Sequence, residues 1–152
     1  MAGSFLDTSA LAKHYHVEAG SAEVDRQWAD AARALFISRV GVVEAVSVFA
    51  GKVRTGDLSA SAFTVLRKRF LNDVGSGRPK LIRLLVKHFK EADRLIGQHG
   101  LARRIRTLDA LQLAVALDLH RRGLIDVLVS SDKQLLSVAI AEGIPVVDPE
   151  NP

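Results

Sequence analysis

Residues 107–147 read TLDALQLAVALDLHRRGLIDVLVSSDKQLLSVAIAEGIPVV, and the order of apolar patterns in this stretch decides the fold. Thr107 to Arg122 carries apolar residues at helical spacing and stops at Gly123. The short apolar run Val127-Leu128-Val129-Ser130 then reads as a buried strand. Lys133 to Glu142 returns to helical spacing with Gly143 as its cap, and Ile144-Pro145-Val146-Val147 makes a final short strand. Strands separated by helices require crossovers, so the sheet they build is parallel and covered on both faces.

The same alternation runs back to the N-terminus. Residues 4–7 form a brief first strand, although Met-Ala-Gly-Ser is a weak lead into it. Thr8 or Ser9 is expected to cap a helix containing Ala10, Leu11 and Ala12. Residues 20–34 read as a helix with Ser21 as cap, followed by a strand over 35–38 and a mostly apolar helix from Gly41 to Arg54. Leu58 to Asp73 is another helix, begun by Ser59 or Ser61, and Gly75-Ser76-Gly77-Arg78-Pro79 is the clearest loop. Leu81 to Val86 is expected to be a strand and Phe89 to His99 a helix ended by Gly100. No repeat or linker divides the chain, which predicts one domain over 1–148 and a polar tail over 149–152.

Composition narrows the function classes. A hydrophobic content of 48% with 25% charged residues describes a packed globule. No apolar run reaches the roughly 18 residues of a membrane span, and the first residues lack the pattern of a signal peptide, so a cytoplasmic protein with no membrane association is expected. The absence of cysteine excludes disulfides and thiolate metal sites. The net charge is +4 and the pI about 9.8. Arg67, Lys68, Arg69, Arg78, Lys80, Arg83, Lys87 and Lys90 crowd the middle of the chain, and Arg103, Arg104 and Arg106 lead into Asp109. Basic surroundings of this kind suit a polyanion held by its phosphates. His14 and His16 are two residues apart, and His88, His99 and His120 lack ligand spacing, so all five histidines are assigned mainly to the surface.

Four acids stand next to core-forming segments. Asp7 ends Ser-Phe-Leu-Asp, Glu44 interrupts an otherwise uncharged run from Val40 to Gly51, Asp109 lies in the first turn after Thr107, and Asp132 closes Val-Leu-Val-Ser-Ser-Asp. Taken singly, Asp7 and Asp132 are explained as helix caps and Asp109 by the helix dipole. Glu44 is harder to explain, because a carboxylate beside buried surface is costly without a compensating partner. Ligands of open parallel sheets gather at the carboxyl ends of the strands, and the four acids lie at such ends or near helix starts, so one crevice can collect them. Clustered carboxylates are suited to a hard divalent cation and to phosphoryl chemistry.

At these segments the chain resembles the PIN-domain ribonucleases, and within them the VapC-type toxins of toxin–antitoxin pairs. The resemblance rests on Phe-Leu-Asp-Thr-Ser-Ala-Leu-Ala-Lys at 5–13, Ser-Arg-Val-Gly-Val-Val-Glu-Ala at 38–45, Arg-Thr-Leu-Asp-Ala-Leu-Gln-Leu-Ala at 106–114 and Val-Ser-Ser-Asp-Lys-Gln-Leu at 129–135. It implies a three-layer α/β/α sandwich with a central, mostly parallel sheet. It also implies a metal-dependent endoribonuclease in which Asp7, Glu44, Asp109 and Asp132 are catalytic and bind Mg²⁺ or Mn²⁺, with Thr8 and Ser131 in support. The expected partners are an RNA substrate such as tRNA or rRNA, a VapB-type antitoxin that contacts segments 20–34 and 58–73, and a second copy in a homodimer. Two alternatives stand beside this reading. One is a non-catalytic RNA-binding or assembly module of the same fold. The other is an aspartate-based phosphohydrolase, which lacks its usual second Asp because residue 9 is Ser.

Overall fold

The computed structural model describes residues 2–152; Met1, which opens the expected lead into the first strand, lies outside the described residues. Five strands form one sheet in the order β3-β2-β1-β4-β5. They are β1 (Gly3–Leu6), β2 (Ala34–Ser38), β3 (Lys80–Ile82), β4 (Val127–Val129) and β5 (Val146–Val147), and every neighbouring pair is parallel. The α/β sandwich expected from the alternating patterns is therefore present. Seven helices cover the sheet among the described residues: α1 (Thr8–Tyr15), α2 (Ser21–Ala29), α3 (Arg39–Arg54), α4 (Ala60–Ser76), α5 (Val86–His99), α6 (Thr107–Arg121) and α7 (Lys133–Ala141). None of them is long and apolar enough to cross a membrane.

Strand alternation divides the core in two. Phe5, Phe36 and Leu128 join the apolar residues of α5, α6 and α7, whereas Leu6, Ile37, Val127 and Val129 join those of α1, α2, α3 and α4. Successive side chains of a strand point to opposite faces, so these neighbouring residues commit the sheet to two helical layers. Helix α6 is the most deeply packed, with residues 110–117 all buried.

β1 sits at the centre of the sheet, flanked by β2 on one side and β4 on the other. The chain builds outward from β1 to β2 and β3, then returns past β1 to add β4 and β5. The strand order reverses at the β1–β4 junction, which is where parallel sheets open a crevice at their carboxyl ends. Asp7 follows β1 directly, and its backbone N–H donates to Val129 O at the end of β4 (3.2 Å).

Several local expectations are corrected. The helix after β1 starts at Thr8 and is capped by Asp7 rather than by Thr8 or Ser9. α2 ends at Ala29, and residues 30–33 turn into β2. α4 continues through Gly75 and Ser76 to an αL cap at Gly77, so the expected loop is mostly its last turn. The expected strand 81–86 shortens to Lys80–Ile82, because α5 begins at Val86, with Leu85 as its cap residue.

The histidines are not all at the surface. His88 is 2% exposed and His99 8% exposed. His88 Nδ1 accepts the Leu85 N–H (2.9 Å) and its Nε2 faces Asp118 (2.9 Å), so it starts α5 and ties it to α6. His99 Nε2 faces Glu142 (3.2 Å) at the end of α7. Part of the mid-chain basic cluster is also structural. Arg78 donates to the carbonyls of Trp28, Asp30 and Arg33, and Lys87 pairs with Asp118.

Candidate functional site

Asp7 is the most constrained of the four acids. It is 5% exposed at the carboxyl end of the central strand. Its Oδ1 accepts from Ala10 N (2.9 Å), which caps α1, and from Ser9 Oγ (2.6 Å). Its Oδ2 accepts from Ser130 Oγ (2.5 Å). Both hydroxyls are oriented from behind, since Ser131 N donates to Ser9 Oγ and Asp132 N donates to Ser130 Oγ, each at 3.0 Å. A hydroxyl that accepts a backbone N–H is free to turn its single proton toward the carboxylate. The Asp7 carboxyl is pushed up to about 6, by burial first and by the charge of Asp132 as well, against the downward pull of the donors Ser130, Ser9 and Ala10.

Glu44 sits in the second turn of α3, half-buried. Its Oε1 accepts from Gln112 Nε2 (2.8 Å) and from Thr8 Oγ1 (3.3 Å), and Gln112 Nε2 also donates to Thr8 Oγ1 (2.8 Å). Three elements thus meet at one carboxylate oxygen: α1, α3 and α6. Asp109, in the first turn of α6, pairs with Arg106 at 3.3 Å. Asp132 caps α7, its Oδ1 accepting from Gln134 N (2.9 Å) and Leu135 N (3.2 Å). Asp109 and Asp132 line one cavity of about 210 Å³ together with Arg104 and Arg106.

The four acids are therefore linked in steps. Asp132 acts electrostatically on Asp7, Asp132 shares a cavity with Asp109, and Thr8 joins the end of β1 to Glu44. Among the described residues no three Asp, Glu or His side chains stand close enough to hold one ion between them. Arg106 occupies one side of Asp109 instead.

Thr8 and Ser131, the residues expected in support, stand in different surroundings. Thr8 turns to Glu44, and the Ser131 hydroxyl is buried with no hydrogen-bond partner among the described residues. The hydroxyls on Asp7 belong to Ser9 and Ser130. Gln112 was also missed, although a signal existed, because it is the one polar residue in the apolar run from Ala110 to Leu117.

In chemical terms the crevice offers hard oxygen donors: Asp7, buried with no cation partner among the described residues, and Asp109 and Asp132, which share a cavity with two arginines. Such a donor set suits a Mg²⁺-class cation and excludes a thiolate site.

Comparison with known proteins gives the same fold. The sequence model of the PIN domain matches residues 4–141. VapC20 of Mycobacterium tuberculosis, a sarcin–ricin-loop-cleaving toxin, superposes with a TM-score of 0.65 at 17% identity, over 93% of this chain and 95% of that one. FitAcB of Neisseria gonorrhoeae gives 0.65 at 16% identity, over 96% and 97%. VapBC2 of Rickettsia felis, solved on a DNA fragment from its promoter, gives 0.64 at 14% identity, over 95% and 97%. No curated protein matches the chain.

Proposed function

The chain belongs to the PIN-domain family, and on that premise we propose that it is a divalent-cation-dependent endoribonuclease, the toxin of a VapBC-type toxin–antitoxin pair. The observation that carries this reading is Asp7, a buried carboxylate at the switch point of the sheet, fixed by two hydroxyls and without a cation partner among the described residues. Asp7, Glu44, Asp109 and Asp132 would hold one or two Mg²⁺ or Mn²⁺ ions, directly or through water. When bound, the ion supplies charge neutralisation at the phosphate and a water of lowered pKa.

The chain's own residues do the rest. Ser9 and Ser130 keep the Asp7 carboxylate in one orientation, and Arg104 and Arg106, which line the cavity with Asp109 and Asp132, would hold RNA phosphates. Water attacks the scissile phosphorus in line and the bond to the 3′ oxygen breaks, leaving 5′-phosphate and 3′-hydroxyl ends. The 2′-hydroxyl is not required as nucleophile. Thr8 acts through Glu44. Structured RNA such as tRNA or rRNA is the substrate class, in keeping with the sarcin–ricin-loop activity of the Mycobacterium tuberculosis neighbour.

A VapB-type antitoxin is the proposed partner, supported by the likeness to VapBC2. Of the two segments expected to meet it, α2 spends its apolar side internally: Val24 is buried and Trp28 stacks on His14 at 3.7 Å. α4 keeps Val65 (66%) and Leu71 (36%) exposed, and its start borders a groove of about 600 Å³ that also includes Tyr15, Val17 and Leu66. The α4 groove is therefore the proposed antitoxin contact.

The spacing of the four acids favours one rival, a non-catalytic RNA-binding module of this fold. The two are separated by incubating purified chain with structured RNA. The nuclease reading expects Mg²⁺-dependent cleavage that chelator abolishes and that Asp7→Asn reduces sharply. Full cleavage by Asp7→Asn overturns the site; RNA binding without cleavage establishes the rival.

A further inference from the structure

Gln112 lies at 2% exposure between Leu111 and Leu113 on the most deeply packed helix of the fold. An amide in such a place is costly unless both its ends are satisfied. Both are. Its Oε1 accepts from Ser38 Oγ (3.4 Å), at the cap of α3, while Nε2 donates to Thr8 Oγ1 and to Glu44 Oε1, each at 2.8 Å. Turned the other way, the amide would set its oxygen against the Glu44 carboxylate, so the surroundings admit one orientation.

Two consequences follow for Glu44. Thr8 Oγ1 already accepts from Gln112, which leaves its proton for Glu44 Oε1. That oxygen then has two donors, one for each lone pair. No donor among the described residues reaches Oε2. We infer that Gln112 is a positioning residue: it commits Glu44 Oε1, directly and through Thr8, so that Glu44 presents Oε2 alone to the crevice as a single-oxygen ligand. The inference rests on the cation-dependent reading above. It assigns to α6 a second contribution besides Asp109, made from one turn further along the same helix. Partners that orient a metal ligand commonly change metal affinity or activity by roughly 10–100-fold when removed.

The test compares wild type with Gln112→Met, which keeps the length of the side chain and removes both donors. Mn²⁺ affinity is read by titration calorimetry on the purified chain, RNA affinity without divalent cation by a binding assay, and folding by thermal melting. The expected result is a loss of Mn²⁺ affinity of roughly 10–100-fold, unchanged cation-free RNA affinity, and a lower kcat at unchanged KM. In a Glu44→Gln background the same substitution should add no further loss of Mn²⁺ affinity. Gln112→His, which can keep one donor toward Glu44, should recover part of it.

Wild-type Mn²⁺ affinity in Gln112→Met, or a loss that adds in full to that of Glu44→Gln, overturns the inference and leaves the nuclease reading standing. A wild-type chain that neither binds Mn²⁺ nor cleaves RNA overturns both. If Gln112→Met does not fold, Gln112→Leu carries the same comparison, with a residue that α6 already buries on either side.

Discussion

Asp7 combines two demands that pull against each other. The crevice needs its charge, and the core beneath it penalises that charge. Its folded value of about 6 lies above the ordinary 3.8, so its contribution to stability has a definite sign. Below the ordinary value the group is protonated in both states and costs nothing; as pH rises past about 6 the folded protein must carry a buried charge that the unfolded chain carries in water. The full cost at neutral pH is roughly 3 kcal/mol. Asp7→Asn keeps the shape and removes the charge. It should melt higher than wild type at pH 7.5, with the gap closing as pH falls through the range from 6 to 3.8. Mg²⁺ should narrow the gap by raising the wild type alone. Thermal melts across pH check this, and an Asp7→Asn variant less stable than wild type at pH 7.5 contradicts it.

The acids were legible in the sequence because a carboxylate beside an apolar run is chemically conspicuous. Their hydroxyl partners were not. Thr8 and Ser9 are neighbours of similar chemistry, as are Ser130 and Ser131, and which member faces Asp7 depends on backbone geometry that residue type does not encode. β4 ends at Val129, and Ser130 N then donates to Val147 O (3.1 Å), which orients Ser130 toward Asp7. Pairing with a strand that comes later in the chain set the answer.

At the scale of elements, the weak lead into β1 has a packing reason. A Cβ on Gly3 would lie 2.2 Å from the Leu124 carbonyl oxygen, so the backbone entering β4 passes where a side chain would stand. Gly3→Ala must move one of the two strands that frame the crevice. A destabilisation of about 1–3 kcal/mol is expected by chemical denaturation. The short β3 and the early start of α5 share one cause in His88, which takes the Leu85 N–H and reaches Asp118 on α6. Periodicity over residues 81–86 could not reveal it, because the partner lies 30 residues away. His88→Ala should cost about 2–4 kcal/mol, from two lost hydrogen bonds and a cavity in the α5–α6 contact. An unchanged denaturation midpoint would contradict the role given to this side chain.

At the scale of the whole molecule, the five-stranded parallel sheet and its two helical layers were readable from alternation alone, since crossovers leave few other arrangements. The surfaces were not readable, because exposure depends on which face each helix turns outward. Val86 (72%) and Phe89 (56%) stand exposed at the start of α5, a helix of the layer on the other face of the sheet from α4. We expect a homodimer through this α5 face. Sedimentation of Phe89→Asp should give a monomer that still binds Mn²⁺, and an unchanged dimer would place the self-interface elsewhere.

The proposed chemistry depends on Asp7, Glu44, Asp109 and Asp132 all serving divalent cations, directly or through water. Mn²⁺ titration of wild type beside Asp7→Asn, Glu44→Gln, Asp109→Asn and Asp132→Asn addresses that dependence most directly. Saturable binding by wild type is expected, with affinity lowered by about tenfold or more, or about 1.4 kcal/mol, in every one of the four variants. Wild-type affinity in all four, or no binding by the wild type, would contradict it.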